Sequence, residues 1–356
     1  MKHFLLFCGV LFATISLWGQ PTHYSLSLTG GRVIPVNGSK YSGNSPTFGA
    51  DFSIYWQQRD SADWVRFWQQ PYFGVRGNYA HIVNSIAGDR FELAGFIQAP
   101  VYRNLHWVYS VGLSGYTQPY SLTHDPDNEF IGSTLNCLID LGFLYNVRLR
   151  NDDALFLAAK LVHSSNGYLY KPNHGLNYIQ AELGYRFAPH ATAQVNSGQP
   201  TVHRPQFMSD FVPRSAFFVS MAPGFVMSRN DDIDLIRYYP TYTFELGWIR
   251  HPHCAFSYGT ALDLSYNGSH RLLAPSDEWP VYPALTAFGD CHWGAITLRL
   301  GLAHYLAYYP QNWEQYYERV GLFYHFGAHK RHHAGVAMKV HYDHVDYIEW
   351  TYGIEF

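Results

Sequence analysis

The sequence predicts an all-β protein: a membrane-spanning antiparallel β-barrel of about sixteen strands, with fourteen as the other count the pattern allows. Three observations carry this. Aromatic residues make up 18% of the chain, with 29 Tyr, 24 Phe and 10 Trp, while charged residues reach only 14%. After the first twenty residues no apolar run approaches the roughly 20 residues a membrane helix needs. Apolar and polar residues instead alternate through one run after another, as they do where one strand face meets lipid and the other a lumen. A secreted β-sandwich is the alternative that composition leaves open.

The chain opens on a targeting segment, residues 1–20. Lys2 gives a positive start, Phe4 to Trp18 is an apolar run of signal-peptide length, and cleavage is expected near Gln20. Bulky Phe7 precedes Cys8, which argues against lipidation there. The remainder, 21–356, reads as a single barrel domain. Net charge is −3 with no basic block, so nucleic acid is not an expected partner.

Strands are expected at 22–34, 47–58, 70–82, 89–99, 104–117, 133–150, 153–165, 175–188, 214–228, 237–250, 252–266, 281–290, 292–306, 314–327, 331–342 and 345–356. The connections test that order. If the first strand rises from the periplasm, the tight links at 100–103, 150–153, 250–253 and 290–292 are internal, and the long, Gly/Pro/Asn/Ser-rich links at 34–47, 117–133 and 266–281 are external. Two internal links break the rule: 58–70, with charges and two tryptophans, and 188–214, with four prolines. The last strand alternates Ile348, Trp350, Tyr352, Ile354 and terminal Phe356, which resembles the sorting signature of outer-membrane barrels. That implies a Gram-negative outer-membrane location and assembly by the barrel-assembly machinery. Cys137, Cys254 and Cys291 are too few for a disulfide framework; Cys254 and Cys291 could pair, and Cys137 reads as a lipid-facing free thiol.

One polar stretch stands out, His163 to Asn177, between two strand-like runs. Parity places Leu155, Leu157, Ala159, Leu161, His163 and Ser165 on one face of the upstream run, and Lys160 on the other. Downstream, Asn177, Ile179, Ala181, Leu183 and Tyr185 share a face, opposite Gln180, Glu182 and Arg186. His163, Ser165 and Asn177 thus prolong an apolar face, where an unpaired imidazole is costly. A hairpin centred at Tyr170 sets Asn177 opposite His163, with Cβ atoms about 4.5–5.5 Å apart. A serine, an imidazole base and a group orienting that base are the parts of a serine esterase. Spacing alone also suits a structural hydrogen-bonded pair.

His163-Ser164-Ser165-Asn166-Gly167, followed by Pro172-Asn173-His174-Gly175-Leu176-Asn177, resembles the signature of the PagL family of outer-membrane lipid A 3-O-deacylases, His-x-Ser-Asn then Pro-Asn-x-Gly-x-Glu. The resemblance implies a β-barrel esterase without a cofactor, acting on an ester-linked acyl chain of lipid A or a related glycolipid. It implies His163 as general base, Ser165 as nucleophile, and Asn166, Gly167 and Asn173 as oxyanion or positioning groups. Asn177 stands where the family has glutamate. An amide orients the imidazole but does not stabilise imidazolium as a carboxylate does. The family's small members have about half this length, so 190–356 has no counterpart in them; longer members with a C-terminal extension are closer.

The second reading is a transport or structural barrel that keeps the motif as a stable turn. Of the 20 histidines, His329, His332, His333, His341 and His344 gather near the end, with His332 and His333 expected in a turn, and no metal site is expected. Asp231, Asp232 and Asp234 mark an acidic external loop.

Overall fold

The computed structural model describes residues 23–34, 45–59, 62–83, 87–149, 153–188, 211–230, 235–272, 280–307, 315–341 and 344–356. The targeting segment with Cys8, most of 188–214 and the Asp231 to Asp234 loop lie outside them. The first eight strands are β1 (His23–Ile34), β2 (Pro46–Gln57), β3 (Tyr72–Ile82), β4 (Arg90–Tyr102), β5 (Leu105–Tyr116), β6 (Leu135–Arg148), β7 (Ala154–Ser165) and β8 (Leu176–Phe187). The second eight are β9 (Arg214–Asn230), β10 (Leu235–His253), β11 (Phe256–Asn267), β12 (Val281–Trp293), β13 (Ile296–Tyr305), β14 (Tyr316–Phe326), β15 (His332–His341) and β16 (His344–Glu355).

The strands number sixteen, but they close as two rings of eight rather than one barrel over 21–356. β8 pairs with β1, Leu183 opposite Leu28, and β16 pairs with β9, Ile354 opposite Val219. Each hairpin looks the same locally whichever ring it joins, so alternation and turn lengths carry no mark of where a ring shuts. The long 188–214 link is the passage from the first barrel to the second.

An eight-stranded interior is just wide enough to be filled by side chains. Here the filling is ionic. In the first barrel Arg76 of β3 reaches Asp51 of β2 at 3.0 Å, Glu92 of β4 at 3.3 Å and Asp140 of β6. Arg90 holds Glu92 at 2.9 Å and Gln180 of β8 at 2.8 Å, and Lys160 holds Glu182 at 2.8 Å. In the second barrel Arg319 bridges Glu245 at 2.6 Å and Glu349 at 2.8 Å, and Arg299 binds Asp290 at 2.8 Å. These bonds span both interiors, which speaks against an open transport lumen. The outer walls are the reverse: Leu26, Leu28, Leu157, Leu161, Ile179, Leu183, Leu300 and Leu302 all stand exposed. A polar inside and an apolar outside suit a barrel set in lipid.

At the end of the first barrel where β7 passes into β8, the β5–β6 loop folds into the mouth. Phe130 and Ile131 pack on Val33, Tyr116, Leu138, Val162, Leu176 and Tyr178. At the opposite end the misfit link 58–70 holds a short helix, α1 (Asp63–Phe67), with its acidic residue first and Arg66 in its last turn, as the helix dipole favours. This segment is a strap onto the second barrel. Trp68 donates its indole N–H to the His292 carbonyl at 2.9 Å and packs on Trp293, and Trp107 of β5 also meets Trp293.

Cys254 and Cys291 are free thiols, not a pair, and Cys137 is free and half-buried. His332 and His333 begin β15 rather than sit in a turn: His333 points into the buried interior, and His332 stacks outside on Phe326 and Tyr352. No cluster of metal ligands forms among the described residues.

Leu157→Arg and Leu161→Arg are expected to impair assembly of the first barrel, since a charge on the lipid face costs about 2–4 kcal/mol near the midplane. Leu161→Ala should assemble. The heat-modifiable fraction on gels reads this, and equal assembly of the arginine and alanine variants would refute a lipid-facing wall.

Candidate functional site

The site lies where β7 ends and β8 begins, on the outside of the wall. Along β7 the outward row is lipid-exposed up to Leu161, at 59% exposure, and is then covered: His163 is half-buried and Ser165 is 6% exposed. The cover is the protein's own 166–175 loop, in which Asn166 and Asn173 are buried too. The strand register sets His163 opposite Asn177 on β8, and on β6 sets Cys137 opposite Ser165 and Ile139 opposite His163.

His163 and Asn177 are joined by a hydrogen bond of 2.8 Å between Nδ1 and Oδ1. The amide oxygen only accepts, so Nδ1 carries the proton and Nε2 keeps its lone pair. Ser165 Oγ receives two donors: Asn173 Nδ2 at 2.8 Å and the Gly167 backbone N–H at 3.1 Å. No hydrogen bond joins His163 to Ser165. With both acceptor positions of Oγ engaged, its own O–H remains free to be donated.

Gly175 explains how the two side chains come to share one small space. Its φ is +71°, a conformation that favours glycine. A Cβ there would sit 2.9 Å from His163 Cε1, 3.0 Å from the Ser164 carbonyl oxygen and 3.4 Å from Ser165 Cβ. The imidazole edge and the serine thus flank the bare Cα.

Asn166 makes its bonds within its own loop and to the β5–β6 loop. Its side chain does not meet Ser165. Its Nδ2 donates to Ser133 Oγ at 3.1 Å and to the Tyr170 carbonyl at 2.8 Å, and its backbone N–H donates to Asn173 Oδ1 at 3.1 Å. Asn166 therefore braces the loop and turns the Asn173 amide so that its Nδ2 faces the serine. Gly167 contributes its N–H, and Asn173 is the side-chain donor.

The β5–β6 loop supplies residues that the motif alone did not give. Besides Ser133, the Glu129 and Phe130 carbonyls accept the His174 and Gly175 N–H groups at 3.2 and 3.0 Å, and Gly132 lies under the Pro172 carbonyl. The only trace of this in the sequence is a loose likeness of rhythm over Ile131 to Asn136. Long-range loop packing leaves no periodic signal.

Gly175→Ala is expected to push the His163 ring aside and strain the turn by roughly 1 kcal/mol. The imidazole Nδ1–H proton resonance would shift or vanish while the barrel stays heat-modifiable. An unchanged resonance would show that Gly175 is not what seats the ring.

Comparison with known proteins adds the following. Residues 50–186 match the family described as Lipid A 3-O-deacylase (PagL), and residues 215–356 match the family described as Acyloxyacyl hydrolase, C-terminal domain. The division falls between the two rings. No curated protein sequence matches the chain. Among solved structures, the outer membrane enzyme PagL is 16% identical, covering 46% of this chain and 98% of its own, with a TM-score of 0.33. A mutant of Rh. blastica porin is 11% identical, covering 95% of this chain and 100% of its own, with a TM-score of 0.20. These structural likenesses are too slight to add to the family matches.

Proposed function

This chain belongs to the PagL-type lipid A 3-O-deacylase family, in a long form with an acyloxyacyl hydrolase C-terminal domain, and we propose that it is an outer-membrane serine esterase that removes an ester-linked acyl chain from lipid A. The observation that carries this is the His163–Asn177 bond beside a serine already held by two N–H donors, all on the lipid side of the wall. The active constellation sits on the first barrel alone.

In the proposed reaction His163 Nε2 takes the proton as Ser165 Oγ attacks the ester carbonyl. Asn173 Nδ2 and the Gly167 N–H, which point at Oγ at rest, turn to the oxyanion that develops beside it. Collapse of the tetrahedral intermediate breaks the bond to the sugar oxygen, which leaves as the alcohol with the proton from His163. Water, deprotonated by the same imidazole, then attacks the acyl-enzyme; the fatty acid departs and Ser165 regains its proton. Asn177 holds the imidazole in the tautomer this sequence needs. No step calls for a cofactor or metal.

Position supports a membrane lipid as substrate. Ser165 and His163 end an outward row of leucines at the outer rim, so an ester anchored in the outer leaflet approaches from the side rather than through a lumen. The half-burial of His163 beside buried Ser165 supports an approach on the imidazole side.

Ser165→Ala and His163→Ala should each lower deacylation by at least about 10³-fold, with the double variant little worse than either. Asn177→Asp is isosteric and brings the family's carboxylate chemistry to the 2.8 Å contact. A charged acceptor is worth about 1 kcal/mol more than a neutral one, roughly a fivefold gain. The assay is release of fatty acid from lipid A in detergent micelles by the purified protein. Full activity in Ser165→Ala would discard the mechanism; no release by wild type would leave the non-enzymatic barrel.

A further inference from the structure

The second barrel has no part in the reaction as described, yet one of its side chains touches the site. Gly167 has φ +63° and its Cα is pressed on Ile348 of β16: a Cβ on Gly167 would lie 2.3 Å from Ile348 Cδ1 and 2.5 Å from Cγ1. Ile348 has the outward parity of β16. Its neighbours on that row, Trp350 and Tyr352, are 48% and 50% exposed, but Ile348 is 8% exposed. What covers it is the loop of the first barrel that carries the Gly167 N–H.

We propose that Ile348 is a positioning residue for the deacylase site, with the second barrel acting as the buttress that fixes the oxyanion loop of the first. The inference rests on the deacylase reading above. Three features support it. The loop turns through two consecutive left-handed residues, Gly167 and Tyr168, both at φ +63°, a conformation that local sequence does not hold by itself. The buttress is rigid, because a β-branched side chain is stiff at χ1. And its place is fixed from elsewhere: at the opposite end of the molecule Trp64, Trp68 and Trp107 pack with Trp293, Ile296 and Leu298 of the second barrel. Between these ends, the outward residues of β5, from Leu105 to Gly115, are all half-buried, whereas those of β7 up to Leu161 are exposed. The two barrels thus meet at both ends, through Trp107 and Trp293 at one and through Gly167 and Ile348 at the other.

Loss of the Ile348 side chain leaves Gly167 free to swing, so its N–H no longer faces Ser165 Oγ. The serine, the base and Asn177 are untouched. The result expected is a fall in kcat with little change in KM, since the donor acts on the transition state rather than on the bound lipid.

The test compares Ile348→Ala, Ile348→Val and Tyr352→Ala with wild type, full-length and folded in micelles, using lipid A as substrate. Ile348→Ala should lower kcat about 10-fold, less than outright removal of an oxyanion donor, with KM within about twofold. Ile348→Val should recover most of the rate, and Tyr352→Ala, on the same row but off the loop, should match wild type. Hydrogen exchange at the Gly167 amide should quicken in Ile348→Ala alone. An active wild type with an equally active Ile348→Ala would overturn the role of Ile348 and leave the deacylase reading standing. A wild type that releases no fatty acid overturns both. If Ile348→Ala does not assemble, wild-type kcat and Gly167 exchange that survive Ile348→Gly in an assembled barrel, or a KM-only effect in Ile348→Val, would likewise overturn the proposal.

Discussion

Ring closure is the constraint on which the rest depends. In hydrocarbon every backbone N–H and C=O must find its partner within the protein, so an open sheet edge is not tolerated. The pairing of β8 with β1 and of β16 with β9 meets that demand twice. Once a ring has eight strands, its interior is a fixed, narrow column. The inward-facing side chains of the first barrel must fill it, and they do so largely as a buried ion network centred on Arg76. Such charges are tolerated because each of these arginines is paired with carboxylate: Arg76 with three, Arg90 with Glu92. The ionic column and the aliphatic wall thus follow from one alternation.

That alternation was the legible part. Sixteen strands, their approximate bounds, the lumen side of Lys160, Glu182 and Arg186, and the register of Asn177 on His163 all follow from a period of two and a hairpin centre. Closure as two rings was not legible, since it depends on which strand meets β1, and a strand of β8 type would equally suit a neighbour at β9. The misfit link at 58–70 is the one mark of it in the sequence: its tryptophans serve no turn, and they belong to the contact between barrels. The free Cys254 and Cys291 show the same limit, for parity cannot say whether two thiols approach.

In the site, the residue types were legible and their division of labour was not. Asn166 and Asn173 look alike in the motif. Only the folded loop shows that Asn173 Nδ2 meets the serine while Asn166 ties the loop to Ser133 and Tyr170. Gly175 and Gly167 likewise serve different ends. One clears room for an imidazole within its own hairpin, and the other clears room for an isoleucine nearly two hundred residues on.

A polar cluster on a lipid-facing wall should be expensive, and the way that cost is offset points to the chemistry. Burying a polar group without a partner costs roughly 1–3 kcal/mol. Ser165, Asn166, Asn173 and Asn177 each have protein partners, so the cluster stands without substrate. Two capacities are left over: the lone pair at His163 Nε2 and the proton of the Ser165 hydroxyl. A structural turn would gain by joining them to each other or to the loop. Here the two donors on Oγ leave its O–H still to be given, and the bond to Asn177 leaves the imidazole lone pair at Nε2. The two capacities are complementary, and the proposed reaction requires both to be unspent before an ester arrives.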